Sequence, residues 1–256
     1  VRGIARMARA SGDNDLEFFG GFFAAVVAAE RGDLAASRER LDQLGPSVAA
    51  SRNFYFGFLA ERLVVSLDIA ASVPGVQADV DALAARYEGT HADTSGTWGL
   101  QTGGLARQAG TLGSIAPLVR SIVDGGAAPN WRSALGLALL ESGDRAGAEA
   151  VLDAFVEPPL DYFWLTTMQT IAELAVGLGR TDRAAELLDL LAPYDGQVGV
   201  TASGTYLFGL VGTTIGLLAA HTGDHPRAVA TLERALARAD AIGAPFEATR
   251  TRRLLA

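Results

Sequence analysis

The stretch ALLESGDRAGAEAVLDAF at residues 138–155 places Gly-Asp between two segments rich in alanine and leucine. The stretch LAAHTGDHPRAVATLERAL at residues 218–236 repeats this plan with different residues. Glycine readily takes the left-handed conformation that ends a helix, and an aspartate after it can accept hydrogen bonds from the first N–H groups of the next helix. Both stretches therefore predict a helix, a tight turn and a second helix.

The same spacing recurs around four glycines of the chain. Each has a small residue seven positions before it, another five positions after it, and a leucine nine positions after it. Small residues let two helices cross closely, and a leucine beside the crossing fills the remaining space. The glycines are Gly32, Gly143, Gly179 and Gly223, the small residues are Ala25, Gly136, Ala172, Gly216, Ser37, Ala148, Ala184 and Ala228, and the leucines are Leu41, Leu152, Leu188 and Leu232. The chain therefore contains an internal repeat.

The repeat predicts the fold class. Weaker turn patterns at Gly75 and Gly110 stand where a regular period requires them, and that period is close to the roughly 34 residues of tetratricopeptide units. Alternation typical of strands is confined to the short QVGVT at residues 197–201, and residues 192–205 are predicted to be the one long irregular connection. We expect an all-α fold, a right-handed, tetratricopeptide-like solenoid of about six antiparallel helix pairs, as a single domain over residues 1–256.

Composition excludes several classes of function. The chain has a net charge of −8, no cysteine and no lysine. Disulfides, thiolate catalysis and cysteine-ligated metals are therefore excluded, as are a G-x-x-x-x-G-K-[ST] phosphate loop and a Schiff-base lysine. The negative charge disfavours binding to nucleic acid or to anionic lipid, so we expect neither nucleic acid nor membrane as a direct partner of this segment.

The ends of the chain bear on its location and context. Residues 1–15 contain arginines but no continuous apolar segment after them, which argues against a secretory signal, and no apolar run is long enough to span a bilayer. We expect a cytoplasmic location. The final TRTRRLLA, residues 249–256, is typical of a helix that has not ended, so we expect the chain to be a piece of a longer multidomain protein.

Most of the chain resembles the tetratricopeptide-like helical region of large bacterial signalling ATPases. The stretches that carry the resemblance are VVAAERGDLAASRERLDQL (26–44), APNWRSALGLALLESGDRAGAEAVLDAF (128–155), DYFWLTTMQTIAELAVGLGRTDRAAELLDLLAPYDGQ (161–197) and GLLAAHTGDHPRAVATLERALARADAIGAPFEATRTRRLLA (216–256). In that family an ATPase module precedes the helical array, with a nucleotide-cyclase domain at the front in some members and a LuxR-type helix-turn-helix at the end in others. The resemblance implies a regulatory role, because the family's catalytic and DNA-binding motifs lie in modules that this sequence lacks.

Polar residues on the predicted first helices are the candidate binding site. In YFWLTTMQTIAELAV, residues 162–176, three polar residues recur at i, i+3 and i+7 and share one face of an otherwise apolar helix. First helices line the concave surface of tetratricopeptide-like arrays, and three residues of neighbouring units occupy the same register. The face is either solvated or a groove that binds a peptide or a small ligand. The candidates are Arg107, Asn130, Thr166, Gln169, Glu173 and Thr213.

Four aromatic residues fall near the predicted starts of first helices. They are Trp98, Trp131, Trp164 and Tyr206. Such residues either pack between successive units or stack against a sugar or a base.

The sequence has no pattern typical of a reaction centre. His221, Asp224 and His225 flank the turn at Gly223, which breaks the helical register that two histidines need to share a metal, and no G-x-S-x-G motif occurs. We therefore predict no catalytic residue, no metal and no cofactor.

Two functional hypotheses follow, and both are non-enzymatic. The leading one is a regulatory or scaffolding domain that binds a protein partner, or another domain of its own chain, through the concave face. The alternative is a small-molecule effector sensor that controls an attached ATPase or DNA-binding module. The third hypothesis is an enzyme on an all-helical scaffold.

Overall fold

The computed structural model describes residues 3, 13–51, 53–90, 93–126 and 130–256, so most of the amino-terminal segment considered above lies outside the described residues. Within them the chain is mostly helical, with little strand, as predicted for an all-α class. The helices are α1 (Asn14–Glu30), α2 (Leu34–Ala50), α3 (Phe54–Ala70), α4 (Val76–Arg86), α5 (Asp93–Ala109), α6 (Ala116–Asp124), α7 (Asn130–Glu141), α8 (Arg145–Asp153), α9 (Trp164–Gly177), α10 (Thr181–Leu191), α11 (Val211–His221), α12 (His225–Ala241) and α13 (Pro245–Leu255). Short 3-10 turns at Leu112–Ile115 and Ala192–Tyr194 adjoin α6 and α10.

The glycines predicted to end the first helices do so. All four have positive φ, from 71° at Gly32 to 89° at Gly143, in the left-handed region that glycine alone enters without steric cost. The aspartate that follows three of them accepts a hydrogen bond from the N–H of the residue three positions on, as a helix cap does. The capped helices are α2 (Asp33 to Ala36), α8 (Asp144 to Gly147) and α12 (Asp224 to Arg227).

The predicted crossing residues are buried where paired helices meet. A Cβ atom on Gly216 in α11 would lie 2.4 Å from Cγ of Leu232 in α12, and one on Gly136 in α7 would lie 2.9 Å from Cγ1 of Val151 in α8. Ala148 and Ala184 are completely buried. At Gly216 the predicted leucine fills the space that the small residue opens, whereas at Gly136 the nearest side chains are those of Leu174 and Val151 and not that of Leu152.

Most helices consecutive in the chain pack against one another, and several first helices of successive units also meet. Helix α9 contacts both α7 and α11, and α3 contacts both α1 and α5. Local pairing is what a helical-repeat array requires. The larger arrangement, a single right-handed tetratricopeptide-like solenoid, stays a prediction.

One element was not predicted. Residues 192–205 were expected to form an irregular connection, but they include β1 (Val198–Thr201), which pairs antiparallel with β2 (Tyr206–Leu210). The turn between the strands has positive φ at Ala202, Ser203 and Gly204. Tyr206 therefore lies in a strand and not, as predicted, at the start of a first helix.

The hairpin β1–β2 lies inside the molecule. Both strands are almost entirely buried, with β1 in contact with α1 and α9, and β2 in contact with α3, α5 and α11. Its apolar side chains belong to two different cores, Val198 and Leu210 to one with α1, and Phe208 to one with α3 and α4. The hairpin thus fills the space between the amino-terminal and the carboxy-terminal helices.

Candidate functional site

The hairpin covers the face on which the candidate binding residues lie. Gln169 and Thr213 are completely buried, and the side chain of Glu173 is 14% exposed. Gln169 donates to the carbonyl oxygen of Gly209 in β2 at 3.4 Å and to the hydroxyl of Thr214 at 3.3 Å. The polar line along α9 therefore faces the protein's own hairpin.

Arg107 and Glu173 meet in a buried group that we call the ion-pair cluster, made of Arg107, Glu173, Glu247 and Arg250. Arg107 donates to Oε1 of Glu173 at 2.7 Å, and Arg250 donates to the same oxygen at 2.5 Å. A second N–H of Arg107 donates to the backbone carbonyl oxygen of Phe208. The guanidinium of Arg107 also lies 4.2 Å from the centre of the phenyl ring of Phe208. The backbone N–H of Leu210 donates to Glu247 at 3.2 Å. The cluster joins α5, α9, β2 and α13.

The electrostatics of this cluster hold its carboxylate ionised. Burial by itself raises the pKa of Glu173, but the two guanidinium groups outweigh it, so the pKa of Glu173 lies below its ordinary value of 4.5. Burial opposes the charge of Arg107 as well, and Glu173 is foremost among the groups that hold the pKa of Arg107 above its ordinary value. Because the folded pKa of Glu173 is lowered, its stabilising contribution is present above about pH 4.5 and is lost as the pH falls through the folded value. An ionised, doubly paired carboxylate is suited to structure and not to proton donation.

Thr213 contacts the last helix, α13. Its hydroxyl forms a 2.9 Å hydrogen bond with the hydroxyl of Thr251 in α13. The side chain of Thr213 is therefore engaged by α13.

Three of the candidates line one small, partly open concavity, which we call the inner cavity. It has a volume of about 80 Å³ and lies between α5, α6, α7, α9 and the hairpin. Arg107, Asn130 and Thr166 all contribute to its wall. Its other polar residues are Ser133, Thr167, Thr170, Thr201 and Tyr206. The structure thus brings together half of the predicted site residues, around one small cavity.

Two polar atoms of the inner cavity are buried without a hydrogen-bond partner. They are Oγ1 of Thr167 and Oδ1 of Asn130. The neighbouring hydroxyl of Thr170 differs, because it donates to the carbonyl oxygen of Thr166 at 2.7 Å. A buried hydroxyl or amide oxygen without a partner costs about 1–3 kcal/mol, so such atoms are usually paired with protein, water or ligand.

A second concavity, the aromatic cleft, opens beside the inner cavity. It has a volume of about 670 Å³, and its aromatic lining includes Phe19, Phe23, Tyr55, Trp98, Trp131 and Tyr162. Leu100 and Trp131 line the cleft and the inner cavity alike. Of the four aromatic residues singled out in the sequence, Trp98 and Trp131 are therefore in the cleft.

An aromatic run in the sequence points to the cleft, but the helical repeat also explains this run. The run FFGGFF at residues 18–23 supplies three lining residues, yet the apolar spacing of an amphipathic helix accounts equally well for such a run. Its aromatic partners come from α3, α5, α7 and the connection before α9, which sequence spacing alone does not bring together.

The described residues include no cluster of three or more metal-ligating side chains. His221 instead lies 3.4 Å from the hydroxyl of Thr181.

None of the helices in the described part of the chain combines the length and the apolar character needed to cross a bilayer. Compared with models of protein families and with curated proteins, the sequence matches none.

Proposed function

We propose that this chain is a non-enzymatic regulatory domain of the helical-repeat type, which binds a small-molecule effector and passes the effect to an attached module. The resemblance to the helical region of bacterial signalling ATPases supports the regulatory role. Burial of the predicted groove residues beneath the hairpin favours an effector over a partner on the concave face, because a partner would first have to displace the hairpin.

The inner cavity is the observation that carries this proposal. It is lined by three residues that sequence register alone had grouped, and it has two buried polar atoms without a partner. Ligand sites are typically concave and largely apolar, with a few polar groups that fix orientation. Neither atom has surface exposed in the cavity, so a ligand would satisfy them only once the side chains of Asn130 and Thr167 turn toward it.

The hairpin offers a route from the cavity to the end of the chain. Thr201, Tyr206 and Phe208 form part of the cavity wall, and the same strand continues to Leu210, whose N–H is bonded to Glu247 of α13. A ligand that repositions the wall would therefore alter the seating of α13. Regulation requires that the effector bind the two arrangements with different affinity.

Thermal-shift screening of metabolites with the wild type and with Thr167→Val tests the proposal. An effector at about 100 times its dissociation constant stabilises the fold by about 2.7 kcal/mol, which raises Tm by several degrees. Thr167→Val should raise the stability of the ligand-free protein by about 1 kcal/mol, because valine keeps the shape and removes an unpaired hydroxyl. The same change should reduce the ligand-induced shift.

Thr170→Val is the matched control. Thr170 lies on the same helix and lines the same cavity, but its hydroxyl is already bonded to Thr166. We expect this variant to keep the ligand-induced shift of the wild type and to gain no stability. Equal shifts in wild type and Thr167→Val, or a screen without any hit, would contradict effector binding in the cavity.

Partner binding is favoured by a different observation. The connection between α8 and α9 exposes three large apolar side chains, Val156 at 82%, Leu160 at 74% and Tyr162 at 62%. Grouped exposed apolar residues often mark contacts with another protein or domain. If this connection is such a contact, Val156→Ser with Leu160→Ser should weaken association with the adjoining domains without lowering Tm.

A further inference from the structure

We infer that the aromatic cleft and the inner cavity form one two-part site for a neutral, planar aromatic molecule that carries a small hydrogen-bond donor. The rings would lie in the cleft and the donor in the cavity. This inference rests on the proposed effector binding and adds the chemical class of the effector.

The lining of the cleft indicates an aromatic ligand. Its aromatic side chains come from α1, α3, α5, α7 and the connection before α9, so they surround the space on several sides. Phe23 and Tyr162 retain exposed fractions of 36% and 62%, which leaves ring surface free for contact. Aromatic faces and edges favour flat ring systems through stacked and edge-to-face contacts. The volume of about 670 Å³ is within the usual range for small-molecule sites.

The charged side chains in the wall limit the net charge of the ligand. The chain has a net charge of −8, yet none of the described residues that line the cleft or the cavity is an aspartate or glutamate. A cationic ligand would therefore lack a carboxylate partner in the wall. Each part also has an arginine in its wall: Arg107 of the inner cavity pairs with Glu173, and Arg62 of the cleft is buried and donates to the carbonyl oxygen of Ser203. Neither part therefore requires an anion. A neutral ligand fits both parts.

Trp131 and Leu100 connect the two parts. Both line the cleft and the cavity, and the indole ring of Trp131 lies close against Gly99, where a Cβ atom would be 2.9 Å from its Cη2. The absence of a side chain at Gly99 leaves room for the ring against α5 at the junction. A ligand that extends from the cleft into the cavity would thus pass Trp131.

The size and the polar atoms of the inner cavity determine which group of the ligand can occupy it. At about 80 Å³ it has room for a small group only, and the polar atoms that need partners are Oδ1 of Asn130, an acceptor, and the hydroxyl of Thr167, which can donate or accept. A hydroxyl or amine on the ligand can donate to Asn130 and also bond to Thr167. An ether can accept from Thr167 but cannot donate to Asn130.

Three probes test the class by calorimetry on the 256-residue chain. 2-Naphthol has rings and a donor, 2-methoxynaphthalene has the rings without the donor, and decahydro-2-naphthol has the donor without aromatic rings. We expect 2-naphthol to bind, and each of the other two to bind at least about tenfold more weakly. Equal affinity for all three would overturn the assigned chemistry.

Variants in each part test whether one ligand occupies both. Phe23→Ala or Tyr162→Ala in the cleft and Thr167→Val in the cavity should each weaken 2-naphthol binding several-fold. Phe54→Ala is the control, since Phe54 is 80% exposed and outside the cleft lining. Sensitivity to only one of the two parts would overturn the two-part site. If a metabolite from the screen depends on Thr167 while 2-naphthol fails to bind, the effector proposal stands and the aromatic class is wrong.

Discussion

Glu173 accepts hydrogen bonds from two arginines that stand 143 positions apart in the chain, Arg107 and Arg250. In the sequence it is one member of a polar line on an apolar helix, which suits either a solvated face or a groove. In the fold it is the central anion of a buried cluster. A carboxylate paired on two sides compensates the charges of both arginines, so removing it leaves cations in a buried setting.

Glu173→Gln should therefore lower the free energy of unfolding by about 3–5 kcal/mol, the range for breaking a buried ion pair by removal of one partner. Glu186→Gln is the control, because Glu186 pairs with Arg183 at the surface and is 61% exposed. That change should cost about 0.5 kcal/mol or less. Urea unfolding measures both. Similar small losses in the two variants would show that the cluster contributes little.

At the scale of elements, the helix pairs follow from a few small residues. Gly216 lets α12 approach α11 so closely that Leu232 occupies the space of an absent side chain. Ala228, one turn before Leu232 on α12, is 3% exposed and belongs to the core that α7, α9 and α11 share. A larger residue at such a crossing has to displace packed neighbours.

Ala228→Leu should overpack the crossing and lower the free energy of unfolding by about 1–3 kcal/mol. Ala237→Leu, at an exposed position of the same helix, should leave stability nearly unchanged. Thermal unfolding of the two variants beside the wild type decides the matter. If Ala228→Leu is as well tolerated as Ala237→Leu, the crossing residues of the repeat have been assigned to the wrong register.

For the whole molecule, the hairpin is the element that joins the two sets of helices. A two-stranded hairpin is at most marginally stable by itself in water, so β1–β2 depends on what surrounds it. Arg62 donates to the carbonyl oxygen of Ser203, Gln101 to that of Thr205, Arg107 to that of Phe208 and Gln169 to that of Gly209. Side chains of α3, α5 and α9 thus hold a strand pair that has no sheet beside it.

Hydrogen exchange followed by mass spectrometry should therefore find the strand amides of 198–210 as slow to exchange as those of α9 and α11. Amides in the exposed connection at 154–163 serve as the fast internal reference. In Glu173→Gln the protection of the hairpin should fall more than that of α7, because one of its anchors is lost. Rapid exchange of the hairpin in the wild type would contradict its place as an interior element.

Much of the helical organisation was predictable because it depends on short distances along the chain. The turn glycines, the aspartate caps and the small residues at the crossings act over short separations, at most 16 positions for Gly216 and Leu232. The hairpin was missed since QVGVT is brief, and its strands are stabilised by side chains more than 90 positions away in α3 and α5. Local alternation is a weak signal for so short a strand pair.

The sequence by itself determined the helical class, the positions of the turns and the lack of thiol or lysine chemistry, because composition and local spacing are properties of the chain alone. It also grouped Arg107, Asn130 and Thr166, which do share a cavity. Only the tertiary structure decided that Glu173 is buried between two arginines, that a hairpin fills the space beside α9 and that an aromatic cleft opens next to the inner cavity. Those features arise from contacts between distant segments, whose burial and charge exist only once the helices have packed.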